Sequence, residues 1–299
     1  MLSPAYRVTQ ERIMIIDFRI RPPFKGFMEL GIIKAWRNIP TEPRAMRPTG
    51  FERRHVASVA EADIDLMVKE MDEAGISHGV IMGRETKNPV YGGVPNADIH
   101  ELVRRYPGRF FGFGGICPHD PNALEEVERC VKEYGFKGIS LDPGWCEPAI
   151  HAHDEKIIPI LDLCQQLDTV VGFAMSAYTG PDLTYCDPSR LMPVMKMFPR
   201  LPFVISHGCW PHVQEVMGVA AVCPNMYIIP DCYFYVRDMP FAEQYVKAAN
   251  SFMKYRTLFG TGYPIRGFGQ CVENWHERGL TYESLKLTLY DNAAYLLKL

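Results

Sequence analysis

The feature that most constrains the fold is an alternation of short apolar runs with longer amphipathic stretches. Each run is nearly continuous in apolar residues and rich in Val, Ile and Phe, which is typical of parallel strands covered on both faces. The alternation predicts a parallel sheet joined by crossover helices. The predicted strands are Ile13–Phe18, His78–Gly83, Phe110–Ile116, Phe136–Asp142, Val170–Met175, Phe203–His207, Met226–Asp231 and Thr257–Tyr263.

The stretches between these runs carry helix signals, chiefly apolar residues at helical spacing and a Pro, Asp or Asn near the start. Eight strands and eight helices predict an α/β fold, a single (β/α)8 TIM barrel over residues 1–299. The alternative is an open doubly wound sheet, but the Gly-rich phosphate turn that it requires after strand one is absent. The helices are predicted to start at Ser58 or Glu61, Ala97, Pro121, Asp154, Pro188, Pro211, Pro240 and about Tyr282.

One connection departs from this rhythm. Residues 22–57 follow strand one without clear periodicity and contain Trp36. A connection this long is usually functional, for example as a lid, and in a barrel it emerges on the face where active sites lie. The sequence therefore predicts a long loop after strand one that borders the site. It also holds Arg37, Arg44, Arg47, Arg53, Arg54 and His55.

Composition and charge exclude several classes of protein. The net charge of -3 is scattered along the chain, so no basic face predicts binding to nucleic acid. No apolar stretch reaches the roughly 18 residues that span a bilayer, and the N-terminus lacks a signal sequence. The nine cysteines include no Cys-x-x-Cys pair and are expected to be reduced thiols. We expect a cytoplasmic protein with a small anionic substrate and no membrane partner.

Polar side chains gather at the predicted carboxyl ends of the strands, where barrel enzymes place their chemistry. Arg19 and Arg21 follow strand one with one residue between them, so both side chains are expected to point to the same side. The pattern predicts a polar barrel mouth that is cationic on one side and holds one imidazole. The other residues predicted there are Arg84, Asp142, His207, Asp231, Tyr233 and Tyr263.

Five segments, in this order along the chain, resemble the amidohydrolase-related family, which includes aminocarboxymuconate semialdehyde decarboxylase and related hydrolases. The segments are the strand-one run followed by Pro22-Pro23, Lys137–Pro143, Ser206–Gly208, Leu258–Pro264 and Asn292–Leu296. The resemblance covers nearly the whole chain and implies a TIM barrel. The sequence also resembles a branch of the family in which strand one reads Arg-x-Arg.

The metal ligands of that family are absent from this sequence. Metal-binding members use His-x-His on strand one, a His at the end of strand five and an Asp on strand eight. The matching residues here are Arg19, Arg21, Ala174 or Met175, and Gly262. A guanidinium has only hydrogen-bond donors and offers no lone pair to a metal ion. We therefore expect no metal ion at this site and no cofactor.

His207 is retained, because it matches the family's strand-six histidine, which is proposed to act as an acid or base. The reference pKa of histidine, near 6.5, suits proton transfer at neutral pH. Asp231, at the end of strand seven, is the candidate that orients this imidazole. The alternatives are a packed histidine bonded to a neighbour, and an aspartate that caps a helix or pairs with an arginine.

The other candidates are predicted to bind substrate. Arg19 and Arg21 suit the capture of a carboxylate or the stabilisation of an oxyanion, and the alternative is a structural ion pair with a nearby acid. Aromatic residues in the strand-to-helix loops suit a flat organic acid, although such residues also simply pack loops. The predicted substrate-binding residues are Arg19, Arg21, Arg84, Asp142, Trp210, Tyr233 and Tyr263.

Together with these residues, the resemblance implies a metal-independent hydrolase of the amidohydrolase superfamily that acts on a small carboxylated substrate with a lactone-like or activated carbonyl bond. His207 and Asp231 are its predicted catalytic residues. Non-oxidative decarboxylation of an aromatic or unsaturated acid is one alternative, and an inactive barrel that binds a metabolite is another. A homo-oligomer formed through the aromatic Phe234–Phe241 region is a further hypothesis.

Overall fold

Seven of the eight apolar runs form parallel strands that pair in chain order. The structure is a computed structural model that describes residues 13–39, 54–236 and 238–299. Within the sheet, each strand pairs in parallel with the next along the chain, which is the topology of a TIM barrel and confirms the predicted fold. The strands are β1 Ile15–Ile20, β2 Ile76–Met82, β3 Phe110–Gly115, β4 Gly138–Leu141, β5 Val170–Ala174, β6 Phe203–Ser206 and β7 Met226–Ile229.

The eighth run, Thr257–Tyr263, is not a regular strand, so this part of the prediction is wrong. It makes only isolated bridges to β7 and to β1. Its backbone still bonds on both sides, to Ile228 of β7 at 2.9 Å and to Phe18 of β1 at 3.0 Å. Gly262 lies in the segment with a φ of +66°, which breaks the extended geometry that a strand needs. The segment nevertheless links the two edges of the sheet.

The helices lie between the strands, and several differ from the prediction. The stretch that starts at Ser58 is divided in two, because Ala62 adopts a left-handed conformation that ends the first helix. The stretch predicted to start at Asp154 becomes helical only at Ile158, and the Asp154 side chain accepts the Lys156 N–H in a turn. The α-helices of the described residues are α1 Gly31–Arg37, α2 Ala57–Glu61, α3 Ile64–Glu73, α4 Asn96–Arg105, α5 Ala123–Glu128, α6 Ile158–Gln166, α7 Met192–Met197, α8 Val213–Val222, α9 Asp231–Tyr235, α10 Ala242–Ala249, α11 Phe268–Glu277, α12 Tyr282–Lys286 and α13 Asn292–Leu297.

The connection after β1 is partly helical where the structure describes it. A 3-10 turn at Lys25–Glu29 leads into α1, so this part is not the aperiodic loop that the sequence predicted. The buried Trp36 lies in α1 and donates its indole N–H to the Ile265 carbonyl at 3.2 Å. The predicted basic residues Arg44, Arg47 and Arg53 lie outside the described residues, and the long loop itself stays a prediction.

Apolar side chains form two layers of core, one inside the barrel and one between the barrel and the helices. The inner layer contains Phe18 and Phe113, whose rings meet edge to face at 5.5 Å. Leu296 and Leu297 of α13 join this inner layer. The ammonium of Lys298 bonds to the Asp168 carbonyl, just before β5, so α13 closes the amino-terminal end of the barrel.

The burial of aromatic residues affects the predicted interface between copies of the chain. Phe234 and Tyr235 are buried inside the chain, so they cannot form the predicted interface between copies, while Phe241 is half exposed. Homo-oligomer formation stays a prediction.

None of the helices in the described parts of the chain combines the length and the apolar composition needed to cross a bilayer. The nine cysteines are all buried free thiols, as predicted.

Candidate active site

A cavity of about 440 Å³ opens at the carboxyl ends of the strands and contains most of the predicted site residues. Asp142 and Asp231 lie directly behind its wall, where both are buried. Trp210 does not line the cavity, but its ring stacks on Tyr233 at a centroid distance of 4.9 Å. The predicted residues that line the cavity are Arg19, Arg21, Arg84, His207, Tyr233 and Tyr263.

His207, Asp231 and Arg19 form one hydrogen-bonded unit. The His207 ring is held on both sides, with Nδ1 2.9 Å from Asp231 Oδ1 and Nε2 2.8 Å from Arg19 Nη2. The Nε atom of Arg19 also lies 3.4 Å from Asp231 Oδ2. The structure therefore brings together the predicted imidazole and its predicted carboxylate partner, and adds an arginine to the pair.

The partners of His207 define its protonation state. A guanidinium can only donate, so Nε2 must accept from Arg19, and the ring proton lies on Nδ1, where it is donated to Asp231. Burial, and then the charge of Arg19, lower the pKa of His207 further than Asp231 raises it. The imidazole is therefore neutral at pH 7, and its ring lone pair is on Nε2, where it accepts from Arg19.

Arg21 and Arg84 form a second unit around Asp142. Both guanidiniums contact the same oxygen, Asp142 Oδ2, at 3.4 Å from Arg21 Nη2 and 3.3 Å from Arg84 Nε. Burial opposes ionisation of Asp142, but the charges of Arg84 and Arg21, followed by Arg19, lower the pKa of its carboxyl. Arg19 and Arg21 thus belong to different ion pairs, one with Asp231 and one with Asp142. The sequence analysis did not assign a separate partner to each arginine.

Strained backbone surrounds the histidine. His207, Cys209 and Asp231 have φ values of 68°, 59° and 28°, a region that residues with a Cβ rarely adopt. Each such residue costs about 1–3 kcal/mol and persists only where the surrounding structure imposes it. The backbone at the ends of β6 and β7 therefore places the side chains of His207 and Asp231 against each other.

Aromatic rings form the walls of the cavity. The guanidinium of Arg84 lies over the Trp145 ring at 3.9 Å, a cation–π contact, and the Tyr91 ring stacks on Trp145 at 5.2 Å. On another side, the Tyr263 hydroxyl lies 2.6 Å from Ser58 Oγ. All of these rings have fixed neighbours, so the cavity is shaped before any ligand enters.

Sequence reasoning missed several residues of the site. Tyr91 and Cys232 line the cavity, and they lie in connections that carry no local signal for a site. Trp36 also lines the cavity, in the connection that was predicted to border the site. Asp17 was also missed, although a charged residue inside an apolar strand was a visible signal. Its carboxylate accepts both the Arg19 and Thr261 backbone N–H groups at 3.0 Å, beneath the site. Burial raises the pKa of Asp17 to about 7 despite the hydrogen bonds from Thr261.

The donors at the mouth do not fit a divalent metal ion. Among the described residues, His207, Asp231 and Cys232 are the group of metal-type donors that lie within 4.8 Å of one another. Nδ1 of His207 carries the proton that it donates to Asp231 Oδ1, and burial raises the pKa of the Cys232 thiol, so both of these atoms keep a proton that a metal ion would have to replace. The Arg19 cation occupies the remaining ring nitrogen. A metal ion would have to displace this fixed positive charge.

The parallel barrel and the cavity at its mouth, lined by arginines and aromatic rings, define the protein as a TIM-barrel protein with its candidate site on the face expected for that fold. The sequence model described as amidohydrolase matches residues 33–299. The chain therefore belongs to the amidohydrolase family.

Solved structures support the same fold. The chain is 34% identical to an uncharacterised TIM-barrel protein, Bb4693, from Bordetella bronchiseptica, with a TM-score of 0.84 over 95% of this chain and 98% of that one. A dihydroxybenzoic acid decarboxylase from Polaromonas, solved with bound manganese and the inhibitor 2-nitroresorcinol, is 17% identical, with a TM-score of 0.65 over 95% and 97% of the two chains. A probable 2-pyrone-4,6-dicarboxylic acid hydrolase from Acinetobacter baumannii, solved with citric acid, is 14% identical, with a TM-score of 0.63 over 95% and 99%.

Proposed function

We propose that this protein is a metal-independent hydrolase that opens a lactone-like or activated carbonyl bond in a small carboxylated substrate. The observation that carries the proposal is the neutral His207, held by Asp231 through Nδ1 and facing Arg19 through Nε2. An imidazole whose pKa is lowered is a base at neutral pH, whereas a decarboxylase needs a proton donor for the carbanion that it forms. The site therefore supports activation of water better than protonation of carbon.

The reaction uses each member of the unit in turn. His207 Nε2 takes a proton from water, whose oxygen adds to the substrate carbonyl carbon, and Asp231 stabilises the imidazolium that forms. Arg19 Nη2, which lies 2.8 Å from Nε2, is placed to stabilise the oxyanion. The carbonyl oxygen of a bound substrate accepts a hydrogen bond from Arg19 Nη2 in place of Nε2, which frees the ring lone pair before water is deprotonated. The tetrahedral adduct then collapses, the bond between the carbonyl carbon and the leaving oxygen breaks, and His207 returns the proton to that oxygen.

The cavity suits the proposed substrate in charge and in shape. Its wall carries the three guanidiniums of Arg19, Arg21 and Arg84, which match a carboxylate. The rings of Tyr91 and Trp145 offer a flat apolar surface beside them. A volume of about 440 Å³ accommodates a small cyclic acid.

The test offers the chelator-dialysed protein a panel of unsaturated and aromatic lactones that carry a carboxylate, together with hydroxybenzoic acids. Lactone opening is followed by the loss of ring absorbance and by acid release, and decarboxylation by CO2 release. We expect lactone opening that survives chelation and falls by about 10²–10⁴-fold in His207→Asn. His153→Asn, at an exposed histidine, is the matched control and should retain full activity.

The other outcomes contradict the proposal in distinct ways. CO2 release from the benzoic acids without lactone opening indicates a carboxy-lyase. Activity that appears only after zinc or manganese is added contradicts metal independence. Binding of the acids without turnover across the panel indicates an inactive metabolite-binding barrel.

A further inference from the structure

Among the described residues, the cavity wall carries more positive charge than the two carboxylates in contact with it can balance. Three arginines line it, and among the described residues that line it there is no aspartate or glutamate. Asp142 and Asp231, the two carboxylates that contact these guanidiniums, stand behind the wall. With His207 neutral, the cluster contains one more cation than anion. A buried charge that is not balanced is costly, so the imbalance calls for an anion from outside.

The excess charge does not belong to Arg19. Its Nε contacts Asp231 Oδ2 at 3.4 Å, and its Nη2 donates to His207 at 2.8 Å. Its Nη1 points to the Met82 sulfur at 3.9 Å. Every nitrogen of this guanidinium therefore has a partner within the protein, and the charge of Arg19 is matched by the charge of Asp231.

The excess charge lies on Arg21 and Arg84. Both contact the same Asp142 oxygen, at distances of 3.4 and 3.3 Å, which exceed the 2.7–2.9 Å typical of a strong charged pair. Arg21 Nε, which is buried, has no hydrogen-bond partner in the described residues. Burial, and then the charges of Arg84 and Arg19, lower the pKa of Arg21, as expected for a cation without sufficient anions. One carboxylate serves two cations here.

The aromatic wall continues from this pair. Trp145 covers the Arg84 guanidinium at 3.9 Å, and the Tyr91 ring stacks on the same indole at 5.2 Å. Arg21 has no such ring contact among the described residues and lies 5% exposed on the cavity wall. Arg21 is therefore the guanidinium on the cavity wall whose hydrogen bonding is incomplete among the described residues.

We propose that Arg21, backed by Arg84, is the carboxylate subsite, and that the cavity selects ligands with a single carboxylate whose remaining part is uncharged where it meets Arg19 and His207. The inference rests on the proposed function only for placing the reacting carbonyl at His207. A second carboxylate would meet an arginine that Asp231 already balances, so a dianion should bind more weakly than a monoanion.

The test measures binding by isothermal titration calorimetry with probes that have no hydrolysable bond, so the result does not depend on turnover. The probes are benzoate and crotonate, their neutral amides benzamide and crotonamide, and the dianion isophthalate. We expect at least one monoanion to bind the wild-type protein about tenfold or more tightly than its amide, and benzoate to bind more tightly than isophthalate. Arg21→Met should abolish the preference for the acid over the amide.

Two further variants make the result decisive. Arg21→Lys retains the charge without the planar fork, and should weaken monoanion binding while leaving amide binding unchanged, even if Arg21→Met does not fold. Arg104→Met, at an exposed arginine of α4, is the control and should bind like the wild type. The inference is overturned if no acid binds more tightly than its amide, if isophthalate binds more tightly than benzoate, or if folded Arg21→Met retains the preference. Benzoate binding as expected without lactone opening would overturn the proposed function alone.

Discussion

At the scale of single residues, the two arginines of the Arg-x-Arg run have different roles. Arg19 Nη2 lies 2.8 Å from His207, whereas Arg21 contacts Asp142 at 3.4 Å. The side chains of Arg19 and Arg21 both line the cavity. Their carboxylate partners, Asp231 and Asp142, follow different strands. A substitution at either position should therefore change a different property.

Replacement of Arg19 by glutamine should change the pH dependence of the reaction. In the wild type, burial and the Arg19 charge lower the pKa of His207, so the base stays neutral below pH 6.5 and activity falls only as pH drops through that lowered pKa. Without the guanidinium charge, the pKa of His207 rises, and the acid limb of kcat/KM should move to higher pH. The measurement is the kcat/KM profile on the best substrate of the lactone panel. An acid limb at the same pH in both proteins would show that Arg19 does not act on His207.

At the scale of elements, Asp17 connects β1 to the irregular segment that joins the edges of the sheet. Its carboxylate accepts the Thr261 backbone N–H at 3.0 Å and the Thr261 hydroxyl at 2.5 Å. Burial raises the pKa of Asp17 to about 7 from 3.8. Closure of the barrel thus depends on a buried acid that is close to titrating at neutral pH.

Asp17 contributes a part of the stability that should fall as pH rises, and comparison with Asp17→Asn separates it from the opposite contribution of His207, whose pKa is lowered. Between about pH 4 and 7 the folded protein retains the Asp17 proton while the unfolded chain loses it, so the folded state binds more protons in that window. The slope should approach about 1.4 kcal/mol per pH unit from this one group. Asp17→Asn should remove it, and the exposed Asp162→Asn should not. Urea unfolding at several pH values measures this, and equal slopes in wild type and Asp17→Asn would refute the assignment.

The positions of the elements could be predicted from sequence far better than their ends. Seven apolar runs became strands because burial on both faces leaves a continuous apolar signal. The eighth makes only isolated bridges to its neighbours, and the helix from Ser58 is divided at Ala62, which has a φ of 56°. The short helix α9 lies within an aromatic stretch that has no helical period.

Residues of the candidate site could be predicted from sequence only where their position at the end of a strand places them at the cavity. Arg19, Arg21 and His207 lie at strand ends and line the cavity as predicted. The pairing of each arginine with its own carboxylate could not be predicted, since it depends on how far each strand extends into the mouth. Tyr91 and Cys232 were missed because their approach to the cavity is set by packing between distant segments.

At the scale of the whole molecule, stability and chemistry lie at opposite ends of the barrel. The cavity lies at the carboxyl ends of the strands, and α13 closes the amino-terminal end with Leu296 and Leu297 packed into the inner core. Barrels commonly separate the two roles in this way, because strand-end loops can vary without disturbing the layers inside. A substitution in α13 should therefore affect folding and leave the site intact.

Replacement of the fully buried Leu297 by alanine should destabilise the protein by about 2–5 kcal/mol, because it removes apolar contacts and leaves a cavity in the inner core. Leu299→Ala, at a residue 55% exposed just beyond the same helix, should cost less than about 0.5 kcal/mol. Urea unfolding followed by circular dichroism measures both, and benzoate titration checks the site. Unchanged benzoate affinity in folded Leu297→Ala is the expected result, since α13 contributes no residue to the cavity wall. Weaker binding in this variant, with Leu299→Ala unaffected, would mean that the two ends of the barrel are coupled.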